Sequence, residues 1–348
     1  MKSKMPNPIS IDDEASLLEV MTRPSDALVE LVSRIEGALV VVGAGGKMGP
    51  SLCWLAKRAA AQGGKDLKIV ALSRFTNVLE REWLESKGIE TQRFDALSEQ
   101  DWTTLPDASH VVYLVGLKFG TGSNPELTWA TNTLAPAAIA RRYADVPVVA
   151  LSTGNVYPMV PHDSRGAKED HPLTPLGEYA NAAVARERVF GHFSRTRNLQ
   201  CALLRLNYAL DLRYGILVDL GQAILEHAPI DLSMSRVNCI WQGDANDRIL
   251  RSLDLVSSPA AAYNLTSTES YGVEDLARGL GERLGIEPKF CGEPAPRILL
   301  SDASALADRL GQPETSITTV LDWTASWLKQ GGRTLGRPTK FQVSDGQF

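Results

Sequence analysis

Apolar segments that alternate with helical segments constrain the fold of this chain most strongly. The first apolar run, ALVVVG at residues 38–43, ends in glycine and is followed by a helical segment at 52–63. The pattern then continues with strand-type runs at 68–73, 91–96, 110–116, 146–153 and 200–206, and with helical runs at 78–88, 125–144 and 175–194. Buried strands separated by helices are typical of a parallel sheet covered on both faces. The sequence therefore predicts an α/β fold, a doubly wound parallel sheet of the Rossmann type that binds its ligand at the carboxyl ends of the strands.

The segments that flank this pattern differ from it. Two short amphipathic helices are predicted at 11–22 and 26–36, the second capped by Ser25 or Asp26. After residue 207 the helices and strands become shorter and less regular. We therefore expect three parts: an N-terminal helical extension, 1–36; a dinucleotide-binding domain, 37–206 with 236–266; and a smaller substrate-binding lobe, 207–235 with 267–348.

Composition excludes several classes of partner. The 348 residues carry a net charge of −5, so no basic footprint for nucleic acid or an anionic membrane is expected. The N-terminus lacks the apolar core of a signal peptide, and we expect a cytoplasmic protein. The cysteines have no metal-ligand spacing and are expected to be reduced, buried thiols, without a metal site: Cys53, Cys201, Cys239 and Cys291.

A glycine-rich loop joins the first strand to the first helix. In VVVGAGGKMGPSL, Gly43, Gly46 and Gly49 let the backbone turn sharply and approach a pyrophosphate at the helix N-terminus. It is not a Walker A loop, because Lys47 is followed by Met48 rather than Ser or Thr. The loop predicts a dinucleotide site.

The end of the second strand indicates which dinucleotide is bound. An acidic residue there would accept hydrogen bonds from the adenosine ribose of NAD, whereas this chain has Ser73 and Arg74. A hydroxyl and a guanidinium suit a 2′-phosphate, to which Lys47 could add a second cation. We therefore expect NADP, with NAD possible; the alternative is that Arg74 is solvated or stacks on adenine without a phosphate preference.

These motifs resemble those of the extended short-chain dehydrogenase/reductase superfamily, in its NAD(P)-dependent epimerase/dehydratase branch, over about residues 37–330. GAGGKMG matches the GxxGxxG loop, FDA at 94–96 the segment that meets adenine, and VVYLVG at 111–116 the VIHLAA strand. The resemblance implies that the cofactor also contacts Asp95, Ala96, Leu114, Val115, Gly116 and Asn132.

The same resemblance extends to the reacting groups. ALSTGNVYP at 150–158 is similar to SSxxVYG, and Tyr179 follows at the distance expected of the active-site tyrosine. The resemblance implies that Thr153 and Tyr179 are catalytic, that Tyr179 also meets the cofactor, and that Asn155, His171 and Asn207 lie near the substrate. It further implies a homodimer in which the helices at 125–144 and 175–194 form a four-helix bundle.

One departure concerns the chemistry directly. The family pattern is YxxxK, but residue 183 is alanine. Only about one free phenol in a thousand is ionised at pH 7, and in the family the lysine supplies a nearby positive charge and grips the nicotinamide ribose. Three explanations stay open: another cation (the oxidised nicotinamide itself, Arg186, Lys118 or Lys168); a proton carried by His162 or His171; or cofactor binding without hydride transfer.

The expected function is therefore an NAD(P)-dependent oxidoreductase or epimerase that acts on a hydroxyl or carbonyl of a sugar, nucleotide sugar or polyol-like molecule. The alternatives are a non-redox NADP(H)-binding sensor of the same fold, and a lyase or dehydratase that uses tightly bound NAD(P) transiently. The substrate itself is not encoded in these motifs.

Overall fold

The computed structural model describes residues 10–117, 123–343 and 346. Its α-helices are α1 (Glu14–Met21), α2 (Asp26–Arg34), α3 (Gly49–Gln62), α4 (Val78–Ser86), α5 (Glu99–Trp102), α6 (Pro125–Arg142), α7 (Glu178–Arg197), α8 (Ile216–Leu225), α9 (Gln242–Arg251), α10 (Val273–Leu284), α11 (Ser304–Leu310) and α12 (Ile317–Lys329). Its strands are β1 (Ala38–Val42), β2 (Lys68–Ser73), β3 (Glu90–Arg93), β4 (His110–Tyr113), β5 (Val148–Thr153), β6 (Val160–Pro161), β7 (Cys201–Leu206), β8 (Ala209–Leu210), β9 (Pro229–Asp231), β10 (Arg236–Val237), β11 (Ile240–Trp241), β12 (Ala261–Leu265), β13 (Tyr271–Gly272), β14 (Lys289–Cys291) and β15 (Arg297–Ile298).

Seven of these strands form the central sheet, in the order β12-β7-β5-β4-β1-β2-β3, and every neighbouring pair is parallel. The chain builds outward from β1 to β3 and then returns to the other side of β1 for β4, β5 and β7. This reversal lies between β1 and β4, where a doubly wound sheet opens a crevice at the carboxyl ends of its strands. The predicted fold class is confirmed.

Both faces of the sheet are covered, which explains why a central strand such as β1 is apolar at every position. In β1, Leu39 and Val41 belong to the apolar cluster that contains α2, α3 and α9 residues. Val40 and Val42 point to the opposite cluster, where Ile139 and Phe190 of α6 and α7 pack. Alternate residues of a strand face opposite sides, so a strand buried on both sides has no polar positions to spare.

The two N-terminal helices begin and end with identifiable caps. The Asp13 side chain accepts from the backbone N–H of Ser16 and starts α1, whereas Ser25 accepts from Leu28 and starts α2. Ser25 is therefore the cap of the second helix, and Asp26 is its first residue. Leu28 of α2 is fully buried against the cluster that also holds α3.

Several element boundaries differ from the sequence prediction because short-range geometry decides them. The helix predicted at 175–194 is α7, which begins after Gly177 (φ +82°) and ends before Asn198 in the left-handed conformation. The third strand ends at Arg93 rather than residue 96, because Asp95 accepts a hydrogen bond from the Leu97 N–H and turns the chain.

The second half of the chain packs into its own apolar cluster, which contains residues of α8, α10 and α12 together with α1. The segment after α12 returns to this cluster, where Phe341 is fully buried.

Cys53, Cys201 and Cys239 are buried free thiols as expected, but Cys291 is exposed because β14 lies at the surface. Among the described residues, none of the helices is long and apolar enough to cross a membrane, and no cluster of metal-ligating side chains is present.

Candidate active site

Two glycines of the loop between β1 and α3 are required by the protein's own backbone. Gly43 has a φ of +88°, and a Cβ there would lie 3.0 Å from the backbone N of Val115 on the neighbouring strand's extension. A Cβ at Gly49 would overlap the carbonyl oxygen of Ala44. These contacts hold the loop flat against the end of β4.

Gly46 has a different environment. A Cβ there would meet only the Gly43 carbonyl oxygen, at 3.3 Å, and the residue lines an open crevice. No side chain caps the start of α3, and Pro50 occupies its first turn. An uncapped helix start beside a glycine with open space in front of it fits the phosphates of a dinucleotide.

The crevice has a volume of about 370 Å³ and lies at the carboxyl ends of β1, β4, β5 and β7. It brings together twelve of the residues that the sequence singles out: Gly43, Gly46, Lys47, Met48, Gly49, Leu114, Gly116, Thr153, Asn155, Tyr179, Arg186 and Asn207. The glycine loop and the two expected catalytic groups therefore share one cavity, of a size typical for a small-molecule site.

Ser73 and Arg74 lie outside this cavity but adjoin the loop. The backbone N–H groups of Gly43 and Ala44 both donate to the Leu72 carbonyl, and a Cβ at Gly45 would lie 2.6 Å from the Ser73 hydroxyl oxygen. Arg74 is exposed. This position at the end of β2 suits contacts with the adenosine end of a dinucleotide whose pyrophosphate lies on the loop.

Lys47 does not join Arg74 there. Its ammonium group donates to the Ala209 carbonyl at 2.9 Å and lies 4.3 Å from the centre of the Tyr214 ring. The expectation that Lys47 adds a cation beside Ser73 is wrong in this structure, because the side chain crosses the crevice toward β8.

Two other residues expected near the cofactor hold the loop after β3. The Asp95 carboxylate accepts from Leu97, and its own N–H donates to Asp101 at 2.7 Å. The Ala96 carbonyl accepts from the Trp102 indole at 3.0 Å. These bonds fix the loop that follows the third strand, and neither residue lines the crevice.

Val115, Asn132 and His171 also do not line the crevice. The Val115 carbonyl accepts from Arg186, and Asn132 is buried in α6 with its amide donating to Thr128 at 2.8 Å. The His171 ring meets the edge of Tyr157, with ring centres 6.2 Å apart. His162 is exposed and outside the cavity as well, so the geometry does not favour either histidine as the proton carrier.

The two expected catalytic residues come from different elements. Thr153 ends β5, and its hydroxyl accepts from the Asn155 N–H at 3.2 Å, which fixes the turn at 154–156. Tyr179 lies in the first turn of α7, and both side chains are more than nine-tenths buried. The β5–α7 arrangement thus aims a hydroxyl and a phenol into the same space.

Two further tyrosines surround Tyr179, and the sequence did not single them out. Burial and, to a smaller extent, the neighbouring Tyr179 raise the pKa values of Tyr208 and Tyr214, that of Tyr214 to about 12. Tyr208 has a left-handed backbone, with φ +38°, a strained conformation that is found more often at functional sites. Both residues line the crevice from the lobe side.

Arg186 provides a buried positive charge in the crevice. It lies two turns beyond Tyr179 on α7, is 5% exposed, and donates to the Val115 carbonyl at 2.9 Å. A Cβ at Gly116 would lie 2.7 Å from this guanidinium, so the glycine leaves room for it. Its Nε has no hydrogen-bond partner among the described residues.

The position of the family lysine is filled differently. Ala183 is fully buried in the apolar cluster that also contains Val156 and Leu210. Lys168 is exposed and does not line the cavity, and Lys118 lies outside the described residues. Of the side-chain cations proposed from the sequence, Arg186 is therefore the one that the structure places in the crevice.

Asn207 adds a polar group at the floor of the crevice. Its side-chain oxygen accepts from Ser301 at 3.3 Å and rests directly over Gly154, which leaves no space for a Cβ. The amide nitrogen is buried and has no partner in the described part of the chain. A buried donor of this kind is costly unless a ligand or water satisfies it.

A buried ion pair supports the site from behind. Arg205 and Glu187 are 2.7 Å apart, the Ser152 hydroxyl donates to Glu187, and Arg205 donates to the Tyr157 hydroxyl. Burial alone would lower the pKa of Arg205, but its bonds to Glu187 raise it above its ordinary value. The network ties β5, α7 and β7 together next to Thr153. For Arg205 the signal in the sequence was a single charge within the apolar run CALLRL, whereas Glu187 stands between Arg186 and Arg188 and gave no such signal.

A larger cleft of about 820 Å³ lies elsewhere, between the connection from α1 to α2, α9 and α12. Two of its carboxylates already have partners: Asp247 accepts from Ser25 and pairs with Arg251, and Asp244 accepts from Thr315. None of the motifs reaches it, so the smaller crevice is the candidate active site.

The sheet order, the glycine loop and the position of the crevice define a Rossmann-type α/β fold. Residues 39–209, just under half of the chain, match the model of the NAD dependent epimerase/dehydratase family. A comparison with curated protein sequences found no match.

Solved structures with the same fold are distant in sequence. UDP-glucose 4-epimerase from Thermus thermophilus, in complex with NAD, is 19% identical, with 84% of this chain and 99% of that chain covered and a TM-score of 0.68. UDP-glucuronic acid 4-epimerase from Bacillus cereus, in complex with UDP-glucuronic acid and NAD, is 17% identical, with 84% of this chain and 99% of that chain covered and a TM-score of 0.69. An epimerase from Methanothermobacter thermautotrophicus is 16% identical, with 89% of this chain and 97% of that chain covered and a TM-score of 0.72. At these identities the likeness shows the fold.

Proposed function

We propose that this protein is an NAD(P)-dependent epimerase or oxidoreductase that acts on a hydroxyl or carbonyl of a sugar, most specifically of a nucleotide sugar. One observation carries the proposal: the glycine loop, Thr153, Tyr179 and Arg186 meet in a single crevice at the carboxyl edge of the sheet. The family match of residues 39–209 and the NAD and UDP-sugars bound by similar structures support the choice of cofactor and substrate class.

The described residues fit a dinucleotide. Gly46 and the uncapped start of α3 would hold its pyrophosphate, and Leu114 and Gly116 would pack along its nicotinamide half. Bound there, the cofactor supplies hydride transfer to and from a substrate carbon. Asp95, Ala96, Val115 and Asn132 would act on the cofactor through the loops and helix that they fix, rather than from the crevice.

The protein's own groups manage the proton and the orientation of the substrate. Tyr179 exchanges a proton with the substrate oxygen, and the Thr153 hydroxyl holds that oxygen by a hydrogen bond. Asn155 and Asn207 would orient the rest of the substrate, because both line the crevice and the Asn207 amide has donor capacity left. His171 is not part of this arrangement.

Arg186 would replace the positive charge that the family obtains from lysine. Its guanidinium is fixed against Val115 and Gly116, on the cofactor side of the crevice. A fixed charge in a site shielded from water stabilises negative charge that develops during proton transfer. It would also hold the nicotinamide ribose, the second role of the missing lysine.

We further propose NADP as the preferred cofactor, because Ser73 and Arg74 stand at the end of β2 where an acidic residue would favour NAD. Titration of the protein with NADP and NAD, before and after Arg74→Ala, tests this choice. The variant should weaken NADP and leave NAD unchanged. Equal affinities in the unaltered protein would contradict the preference and leave the site itself in place.

The direct test of function is a hydride-exchange assay with a panel of UDP-sugars and free polyols in the presence of each dinucleotide. Turnover or isotope exchange with a UDP-sugar is the expected result. Tight dinucleotide binding without exchange on any substrate would favour a nucleotide-sensing protein, which the apolar burial of Ala183 also fits. Absence of dinucleotide binding would contradict both.

A further inference from the structure

The segment after α12 crosses the lobe and is fixed on both sides of Arg337. The Leu335 N–H donates to the Arg213 carbonyl at 2.8 Å. The N–H and hydroxyl of Thr339 donate to the Asp219 carboxylate at 2.8 and 2.5 Å, and Phe341 is buried in the apolar cluster of the lobe. We call residues 335–341 the C-terminal strap. Because it is anchored at Leu335, Thr339 and Phe341, its middle is held in a defined place.

The strap contributes to the crevice that holds the reacting groups. Leu335, Arg337 and Thr339 line the same cavity as Thr153 and Tyr179. The charge of Arg337 acts on the Tyr214 phenol, which also lines this cavity. Arg337 is exposed to solvent and forms none of the ion pairs found among the described residues. Its guanidinium therefore has donors available to a ligand in the crevice.

The charges around the crevice are one-sided. Its described lining includes three cations, Lys47, Arg186 and Arg337, and no aspartate or glutamate. The whole chain has a net charge of −5, so this is a local concentration of positive charge in an acidic protein. A concave site lined by one sign of charge attracts ligands of the opposite sign.

The three cations do not stand on the same side. Arg186 rests on Val115 and Gly116, where the dinucleotide is proposed to bind, whereas the Lys47 ammonium group reaches the Ala209 carbonyl and the Tyr214 ring. Arg337 comes from the strap, together with Tyr214 of the lobe. The dinucleotide accounts for the charge of Arg186, and the Lys47 ammonium group already donates to a backbone carbonyl, so the charge of Arg337 on the strap is left to a second ligand.

We propose that Arg337 binds an anionic group of the substrate, a phosphate or a carboxylate, and that the C-terminal strap is therefore part of the substrate site. This rests on the proposed function, since the second ligand is taken to be the substrate. The planar guanidinium matches either anion with two parallel hydrogen bonds. Selection for charged over neutral sugars then comes from a residue at the far end of the chain, outside the segment 39–209 that matches the family.

The test uses the full chain saturated with its dinucleotide, so that the glycine loop is filled. Calorimetric titration with inorganic pyrophosphate and, separately, with glucuronate measures the two kinds of anion. Arg337→Gln should weaken at least one of them by roughly tenfold or more, and Arg337→Lys should restore part of the loss. The anion that is weakened identifies the chemistry that the strap recognises.

Arg333→Gln is the matched control. Arg333 lies on the same tail but pairs with Glu14 at 2.7 Å and does not line the crevice, so both anion affinities should stay unchanged. Dinucleotide affinity should be unchanged in every variant, which excludes misfolding as the cause. If Arg337→Gln binds both anions as the unaltered protein does, or if the unaltered protein binds neither, the inference is overturned. Failure of the unaltered protein to bind dinucleotide instead contradicts the proposed function, and the titrations without dinucleotide then still test Arg337.

Discussion

The glycine-loop wall of the crevice, residues 43–49 with 114–116, and the lobe wall opposite it, Tyr208, Tyr214 and the C-terminal strap, are built in different ways. The first wall comes from two adjacent strands of the sheet, and its geometry is fixed by backbone contacts such as Gly49 against Ala44. The lobe wall is assembled from segments more than a hundred residues apart and is fixed by side-chain bonds such as Thr339 to Asp219.

This difference teaches where function can be read from a sequence. Unusual backbone geometry can be recognised in a short stretch of sequence, because only glycine fits certain positions. The glycine loop was predicted in this way. Side chains that meet across a cavity but are far apart in the chain produce no such local pattern. Arg337 and Tyr214 became candidate site residues only when the structure placed them beside Tyr179.

The largest expected effect tests the point where the walls meet. Tyr179→Phe removes the proton-exchanging hydroxyl and should lower turnover by about 10²- to 10⁴-fold, with dinucleotide affinity unchanged, as measured by steady-state kinetics and binding titration. Tyr263→Phe, outside the crevice, is the control. Turnover retained in Tyr179→Phe would remove this residue from the mechanism.

The next effect concerns the source of the positive charge. Ala183→Lys forces an ammonium group against an apolar cluster and should lower the free energy of unfolding by about 3 kcal/mol or more, with no gain in activity. Arg186→Gln should instead lower turnover by about tenfold or more. Thermal unfolding and steady-state kinetics of both variants test whether Arg186 supplies this charge. A marked gain of activity from lysine at 183 would show that the family mechanism is only weakened here, not rebuilt around Arg186.

Gly49→Ala tests the backbone origin of the glycine-loop wall. The added Cβ overlaps Ala44, so the substitution should cost about 1–3 kcal/mol of stability and weaken dinucleotide binding. Gly63→Ala is a suitable control because its Cβ would meet its neighbours at ordinary distances of 3.4–3.5 Å. Equal behaviour of the two variants, in thermal unfolding and dinucleotide titration, would mean that the loop is not held as described.

The prediction with the smallest expected effect on the crevice concerns the outer face of α6. Leu127, Trp129 and Leu134 are 40%, 39% and 52% exposed there, on one of the two helices predicted to form a homodimer. Leu134→Asp should weaken the proposed dimer by about 2 kcal/mol, shifting light-scattering mass toward the monomer, with little change in dinucleotide affinity. Leu79→Asp, on the exposed surface of α4, should leave the mass unchanged. A monomeric unaltered protein at micromolar concentration would contradict the dimer.

The fold was largely predictable because the strands at the centre of the sheet, such as β1, β4 and β5, are short, mainly apolar runs separated by helical segments. The ends of the helices and strands were less predictable. Those of α7 depend on backbone conformations at Gly177 and Asn198, which the periodicity of the sequence does not reveal. In the site, the glycine loop, Thr153 and Tyr179 meet in one crevice, whereas Asp95, Ala96, Val115 and Asn132 do not line it. His171 does not line it either, because its loop turns the ring onto Tyr157. Lys47 lines it but does not join Arg74, because its flexible side chain follows hydrogen-bond partners that come from β8.

The most direct test of the account is a crystal structure with NADP or NAD bound. We expect the pyrophosphate at the start of α3, the nicotinamide ring in the crevice between Gly116 and Tyr179, and Arg186 in contact with the adjoining ribose. A dinucleotide bound outside this crevice, or a nicotinamide ring turned away from the Tyr179 hydroxyl, would contradict it.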